Sequence, residues 1–162
     1  MRQFTRAATF AALVLTLALP AVAGKPTIQI SPFVSEFISG ADGCGFDVLL
    51  LPEPGKPNGE KIIEFANAYV ESGPLFVTAE NLATQKTITL NISGPAQASF
   101  TGETLALEGP QTGVLPASLA GPAGLPLVFY ATGRTVYQYD AFGNLTSVSF
   151  AGKAYDLCQM LQ

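Results

Sequence analysis

Short runs of aliphatic, β-branched and aromatic residues recur along this chain, and they constrain its fold more than any other feature. Lys86–Ser93 shows the pattern most clearly, because apolar Ile88, Leu90 and Ile92 alternate with polar residues. Side chains of a strand alternate between its two faces, so this segment predicts a strand with one buried face and one wet face. Similar runs predict further strands: Phe46–Leu51, Lys61–Ala66, Leu75–Glu80, Gln97–Phe100, Glu103–Glu108, Leu125–Tyr130, Arg134–Asp140 and Leu145–Phe150.

Hairpin-like spacing of these runs, without an amphipathic helix of useful length, predicts an all-β fold. We expect a single antiparallel β-sandwich, Ig-like or barrel-like, of about eight strands. Ala154–Leu161 predicts a short C-terminal helical segment of two turns, with Tyr155, Leu157, Cys158 and Leu161 turned toward the sheet.

The first 23 residues have the pattern of a secretory signal peptide. Arg2 and Arg6 form a basic start, Phe10–Leu19 is an apolar run, and small residues Ala21–Ala23 follow Pro20. The apolar run is too short for a membrane-spanning helix. The sequence therefore predicts export without a transmembrane anchor, to the outside of the cell or to the cell envelope.

Charge excludes two classes of partner. Removing 23 of the 162 residues leaves 139, and the six remaining Lys and Arg residues face twelve Asp and Glu, a net charge of −6. Nucleic-acid binding needs a basic patch, and attraction to an anionic membrane needs cationic clusters. We expect neither partner.

Two cysteines, Cys44 and Cys158, are present in the chain. An even pair in an exported protein predicts a disulfide bond. A catalytic thiol or a zinc site is the alternative, but the chain has no histidine to act as base or ligand. The predicted organisation is a signal peptide at 1–23, an extended lead-in at 24–43 and a disulfide-closed β domain at 44–162.

The hairpin around Asp140–Asn144 can be specified in detail. Its sequence fits a type I turn followed by Gly143 in the left-handed conformation. The register then places Tyr139 opposite Leu145 and Val136 opposite Val148.

This hairpin also carries a resemblance. Tyr137–Leu145, within Gly133–Gly152, resembles one YD-type repeat of the rearrangement-hotspot shell proteins. Those proteins stack many such units into a shell, whereas this chain has one. The resemblance implies a shared hairpin design and no shared function.

A second resemblance covers nearly the whole chain that remains after the predicted signal peptide, residues 24–162. Its motifs are Cys44–Val48, Glu80–Thr84, Ile88–Pro95, Thr132–Arg134 and Asp156–Cys158. They are similar to motifs of small secreted proteins common in actinobacteria, a group without an assigned activity. In that group an Asn-x-x-Thr-Gly loop joins two strands, and here Gln85 stands in place of the glycine. The resemblance implies the fold and the compartment, and it transfers no chemistry.

The chain lacks the common arrangements of catalytic residues. Without histidine the chain cannot form a Ser-His-Asp or Cys-His arrangement, and no Ser-x-x-Lys pattern occurs. No cofactor, metal or catalytic residue is predicted, and a loose calcium site around Asp42 or Asp140 is the alternative that stays open.

Paired carboxylates are the remaining route to hydrolysis. Glu60 and Glu64 share a face if their segment is a strand, and Glu71, Glu103 and Glu108 are further candidates. The simpler interpretation is that these are solvated strand faces, and the chain has no tryptophan to form a sugar platform. A small hydrolase is therefore the alternative to a binding protein.

Gly109–Pro126 is the longest segment predicted to be irregular, with four prolines, four glycines and no charge. Its apolar residues, Val114, Leu115, Leu119 and Leu125, form the candidate contact surface, because function concentrates on loops. The alternative is a loop folded down over the end of the sandwich.

By elimination, we expect a non-enzymatic module that binds a protein, a glycan or a cell-envelope component. A projecting loop at Gly109–Pro126 would instead favour an inhibitor or partner of another secreted protein. The sequence does not specify the ligand or the oligomeric state.

Overall fold

A computed structural model describes residues 27–65, 67–99 and 102–162 of the chain. The predicted signal peptide lies outside these residues, as do the predicted strand ends at Ala66 and Phe100. Eleven strands are described: β1 (Thr27–Ser31), β2 (Glu36–Ile38), β3 (Val48–Pro52), β4 (Glu60–Glu64), β5 (Ala68–Ser72), β6 (Phe76–Asn81), β7 (Thr87–Asn91), β8 (Ala96–Ser99), β9 (Thr104–Val114), β10 (Val128–Tyr139) and β11 (Leu145–Asp156). Two short α-helices accompany them, α1 (Ala117–Ala123) and α2 (Leu157–Met160).

The strands form two antiparallel sheets. The larger has the order β1-β4-β5-β8-β9-β10-β11 and the smaller has the order β2-β3-β6-β7. This confirms the predicted all-β, sandwich-like fold with a short C-terminal helix. The described strands number eleven rather than about eight because β1, β2 and β5 were not predicted, while two predicted strands merge into β10.

Two apolar clusters form the interior. The first lies between the smaller sheet, the start of β10 and α2, and it includes Leu50, Val77, Val128 and Leu157. The second lies between α1 and the long strands β9–β11, with Phe129 fully buried at its centre. The sandwich therefore has a separate core on each face of β10.

The predicted disulfide is confirmed. Cys44 and Cys158 are bonded, with their Cα atoms 5.0 Å apart and 114 residues apart in sequence. Asp156 caps α2 by accepting hydrogen bonds from the backbone N–H groups of Cys158 and Gln159. The bond therefore ties the start of the β domain to its end, beside the first core.

The predicted C-terminal helix is shorter than expected. β11 continues through Asp156, so Tyr155 belongs to a strand, is exposed, and stacks on Tyr130 with ring centres 6.1 Å apart. Leu157, Cys158 and Leu161 are buried as predicted. Pairing with β10 continues the strand to this point, and the Asp156 cap then starts the helix.

The Asp140–Asn144 hairpin is partly as predicted. Gly143 has φ 82° and Tyr139 lies opposite Leu145. The predicted pairing of Val136 with Val148 is wrong, since Val136 lies opposite Ser149.

A bulge explains the shift. The register changes between Gln138 and Tyr139, which leaves Thr146 without a cross-strand partner. The Thr146 hydroxyl donates to the Gln138 carbonyl at 3.0 Å, and the Ser147 hydroxyl donates to the Gln138 side chain at 3.1 Å. These local hydrogen bonds stabilise the extra residue.

The loop between β6 and β7 places a glutamine where the backbone favours glycine. Buried Asn81 organises the loop, because its Oδ1 accepts from the N–H groups of Ala83 and Thr84. Gln85 has φ 60°, and it is the one non-glycine residue with positive φ in the described part of the chain.

We expect Gln85→Gly to raise the free energy of unfolding by about 0.5–1 kcal/mol, because a left-handed conformation is strained for residues with a Cβ. Urea denaturation followed by circular dichroism measures the change. Ala83→Gly is the control, since Ala83 lies in the same exposed loop without positive φ, and it should lose stability instead. A lower midpoint for Gln85→Gly would contradict the assignment of strain.

Candidate functional site

The predicted contact loop is folded down. Leu115 and Leu125 are 2% and 6% exposed, Leu119 is half-buried, and Val114 is exposed at the end of β9. These four residues therefore do not form one outward surface, which corrects the prediction in favour of its alternative.

The physical reason lies in the local hydrogen bonding of this segment. β9 runs on to Val114, and α1 then ends at Gly124 in the left-handed conformation. The Leu125 N–H donates to the Ala120 carbonyl, and the Leu115 N–H donates to the Leu127 carbonyl. With the backbone satisfied in this way, the uncharged segment buries Leu115 and Leu125 in the second core.

A cleft of about 240 Å³ lies where the chain crosses from β7 to β8, and both sheets contribute to it. Four carboxylate residues from four different strands line it: Glu36, Glu60, Glu71 and Glu108. Its apolar lining includes Phe33, Leu75, Ile92 and Leu107. The lining residues within the described ranges include no lysine or arginine.

Strand pairing brings Glu60 and Glu71 together. Ile62 lies opposite Glu71 in the β4–β5 pair, and Glu60 is two residues before Ile62 on the same face. The two glutamates are therefore diagonal neighbours. In antiparallel sheets the backbone positions of such neighbours lie about 7–8 Å apart, and their Cβ atoms lie somewhat closer.

Gly73 permits this close pairing. A Cβ at Gly73 would lie 2.3 Å from the Gly59 carbonyl oxygen and 3.0 Å from the Glu60 Cα. Only a residue without a side chain lets the end of β5 approach the start of β4 this closely.

Burial raises the pKa of the Glu60 carboxyl, and the nearby Glu71 charge raises this pKa further. Glu108 is in a different environment, because its exposed carboxylate pairs with Arg134 at 3.3 Å. Glu60 and Glu71 therefore form a half-buried acidic pair in the lining of the cleft.

Gln111 lines the same cleft and is 6% exposed. Its Nε2 donates to the Thr135 hydroxyl at 2.8 Å, while its Oε1 has no hydrogen-bond partner among the described residues. A buried acceptor without a donor costs about 1–3 kcal/mol. The unpartnered Oε1 is closed off from solvent, so it lies behind the surface of the cleft.

The Gln111–Thr135 contact depends on a row of two glycines between them. Gln111 lies opposite Ala131 and Thr135 lies opposite Leu107, so the two residues are two rows apart on one face. The row between them is Gly109 and Gly133, which have no side chains to block the contact. A Cβ at Gly133 would lie 2.2 Å from the Ala151 carbonyl oxygen, so the close approach requires glycine there.

Sequence reasoning found part of this cleft. Glu60, Glu71 and Glu108 were candidates, but the predicted partner of Glu60 was Glu64, which does not line the cleft. Glu103 lies away from it, exposed before β9. Glu36 was missed because β2 was not predicted, and Gln111 was missed because its segment was predicted to be irregular.

We expect Glu60→Gln to raise the thermal midpoint at pH 7, because it removes a buried charge and its repulsion with Glu71. A raised folded-state pKa contributes stability that is fully present below the unfolded-state pKa and is lost as pH rises through the folded-state pKa. The advantage of Glu60→Gln should therefore be present at pH 7, shrink as pH falls through the raised folded-state pKa, and be lost below the ordinary value of 4.5.

Thermal denaturation at pH 7 and pH 3.5 tests this expectation, with Glu103→Gln as the matched control on an exposed glutamate. An equal gain at both pH values would contradict the electrostatic cause.

Neither a metal cluster nor a membrane-spanning helix is found in the described part of the chain. No three His, Cys, Asp or Glu residues there are grouped so that they could hold a metal ion. No helix there is long and apolar enough to cross a membrane.

Fold and cleft together define a disulfide-closed, all-β sandwich with an acidic cleft between its sheets. Comparisons with protein-family models, curated proteins and solved structures found no match to this chain. The resemblances drawn from the sequence therefore stay predictions.

Proposed function

We propose that this protein is an exported, non-enzymatic module that binds a protein, glycan or cell-envelope component through the cleft between its sheets. The signal-peptide pattern at residues 1–23 supports export, and so does the disulfide, because such bonds persist in oxidising compartments. The observation that carries the proposal is the cleft lined by both sheets, where the half-buried Glu60 and Glu71 lie beside apolar surface.

Co-sedimentation with cell-envelope fragments tests the proposal. We expect the purified, disulfide-bonded protein to sediment with the fragments, and Glu60→Gln/Glu71→Gln to reduce the bound fraction at least about tenfold, equivalent to 1.4 kcal/mol. Glu80→Gln/Glu103→Gln is the matched control, since neither residue lines the cleft, and it should bind as the unmodified protein does.

Protease treatment of the fragments separates the classes of partner. Binding that survives the treatment indicates a glycan or lipid component, and binding that is lost indicates a protein. Absence of sedimentation would contradict the envelope-binding proposal.

A small hydrolase is the second candidate, and one observation favours it. Glu60 and Glu71 share a cleft, and the raised pKa of Glu60 suits a general acid beside a second carboxyl group. The test is to measure the reducing ends that the protein releases from envelope glycans. Release by the unmodified protein, and not by Glu60→Gln or Glu71→Gln, would show that the function is hydrolysis rather than binding.

The inhibitor interpretation depended on a projecting loop, and the burial of Leu115 and Leu125 removes that basis.

A further inference from the structure

We propose that β1 pairs with β1 of a second copy of this chain, so that the larger sheets of two copies join edge to edge in an antiparallel dimer. β1 is the outermost strand of the seven-stranded sheet, and among the described strands it pairs with β4 alone. The backbone N–H and C=O groups along its other edge can therefore accept a further strand. The inference goes beyond the proposed function, because it concerns a different surface and a different partner.

The side chains of β1 are exposed on both faces of the sheet. Ile28 and Ile30 are 58% and 77% exposed, and they share one face with Ile63, which lies opposite Ile28 on β4. The three polar residues of β1 occupy the other face. The strand contains no charge and no proline, and its register with β4 has no bulge, so it lacks the usual protection against edge pairing.

The other free edges of the two sheets are protected. β2 has only three residues and begins with Glu36. β11 carries Lys153 and has a bulge in its pairing with β10. β7 turns its apolar residues, Ile88 and Leu90, into the first core. Short length, charge, bulges and cover are the means by which proteins prevent edge pairing, and β1 is the edge without them.

The sequence of β1 fits a second copy of itself. With a two-fold axis at Gln29, antiparallel pairing puts Ile28 opposite Ile30 of the second copy, and Thr27 opposite Ser31 of the second copy. Each isoleucine then meets an isoleucine and each hydroxyl meets a hydroxyl. An amide has both donors and an acceptor, so the two Gln29 side chains at the axis can hydrogen-bond to each other. Pairing also removes from water the isoleucine surface that one copy leaves exposed.

Charge does not oppose this register. The charged residues of the neighbouring strand β4 are Glu60, Lys61 and Glu64. In the joined sheet, the row that contains Glu60 of one copy ends at Glu64 of the other, three strand spacings or about 14 Å away. This distance exceeds the Debye length of about 8 Å at physiological ionic strength, so the repulsion is largely screened. The row that contains Lys61 ends at Ile63 of the second copy and brings no like charges together.

Pairing through β1 places two clefts in one assembly. β1 ends at Ser31, which lies opposite Glu60 in the lining of the cleft. In an antiparallel dimer the Ser31 ends of the two copies lie at opposite ends of the shared seam, so the two clefts lie apart along it. Two linked sites bind a repetitive surface more tightly than one site does.

Sedimentation equilibrium of the purified, disulfide-bonded protein tests the inference. A seam of one strand per copy is small, so we expect a weak dimer that forms between about 1 µM and 1 mM. Ile28→Lys/Ile30→Lys places lysine opposite lysine, and it should raise the dissociation constant at least about tenfold. Thr87→Lys/Thr89→Lys is the matched control, since it adds the same charge to exposed positions of another edge strand, and it should leave the dimer unchanged.

A charge exchange tests the register. Ile28→Glu/Ile30→Glu should also be monomeric alone. Its equimolar mixture with Ile28→Lys/Ile30→Lys should restore the dimer, because each lysine then lies opposite a glutamate.

A cysteine at the two-fold axis tests the same register independently. Gln29→Cys should form a crosslinked dimer under mild oxidation, because directly opposite residues of an antiparallel pair have Cα atoms about 4.5–5.5 Å apart, within the range of a disulfide. Gln97→Cys is the matched control, since Gln97 is exposed on the central strand β8, and it should stay uncrosslinked.

Three results would each overturn the inference: a protein that stays monomeric up to millimolar concentration, a dimer that persists in Ile28→Lys/Ile30→Lys, or a Gln29→Cys protein that forms no crosslinked dimer. Circular dichroism shows whether each variant is folded, and the concentration series of the unmodified protein provides a test that needs no variant. None of these measurements includes envelope fragments, so their outcome is independent of the proposed function.

Discussion

Replacement of both Cys44 and Cys158 by alanine is expected to lower the free energy of unfolding by about 4–5 kcal/mol. The bond joins residues 114 positions apart, so it closes nearly the whole described domain into one loop. Without the bond the unfolded chain gains conformational entropy, and this gain grows with the logarithm of loop length. Domains of this size have a total stability of about 5–15 kcal/mol, so the loss is a large share.

Urea denaturation with matched probes of secondary and tertiary structure measures the effect. Reduction of the unmodified protein should reproduce it, which separates the loss of the bond from the loss of two side chains. The slope of unfolding free energy against urea should also increase, because the unfolded chain expands when it is no longer crosslinked. A loss below about 1 kcal/mol would show that the bond does not constrain the unfolded state as the loop length implies.

The bond also has a local role in the folded state. Cys158 is buried in the first core beside Leu157, and Leu161 packs in the same cluster. α2 has only four residues and cannot persist alone in water. Its position therefore depends on the disulfide, the Asp156 cap and the burial of two leucines, and we expect loss of the bond to loosen this end of the sandwich first.

The sequence predicted the strands that have one clearly buried face. In Lys86–Ser93, Leu90 is buried, Ile88 and Ile92 pack against the first core, and the alternate threonines are exposed. The strands that it missed lack this contrast: every residue of β1 is exposed, and every residue of β5 is half-buried. Such strands are defined by pairing with neighbours, and pairing is not visible in a local pattern.

The candidate site shows the same limit more strongly. Glu60, Glu71 and Glu108 could be named from residue type, but their grouping depends on register between strands that are distant in sequence. Gln111 is buried beside the cleft, and its environment depends on the glycine row of β9 and β10. A glutamine in a Gly- and Pro-rich segment gives no local sign that it is buried in a strand.

Phe129→Ala is the second substitution with a large expected effect. Phe129 is fully buried in the second core, opposite Gly113 of β9. Its ring lies over that glycine, since a Cβ at Gly113 would come within 2.6 Å of the ring. The ring thus covers backbone that the glycine leaves bare. Truncation of a buried phenylalanine leaves a cavity and costs about 3–5 kcal/mol.

Denaturation of Phe129→Ala measures this loss, and Phe142→Ala is the matched control because Phe142 is 91% exposed at a hairpin tip. The same chemical change should cost less than about 0.5 kcal/mol there. A double-mutant cycle then tests the contact itself. Gly113→Ala should destabilise the unmodified protein, where the ring blocks the new methyl group, and should cost less in Phe129→Ala, where the space is open. Equal costs in the two backgrounds would show that the ring does not cover Gly113, and that the second core is closed by other contacts.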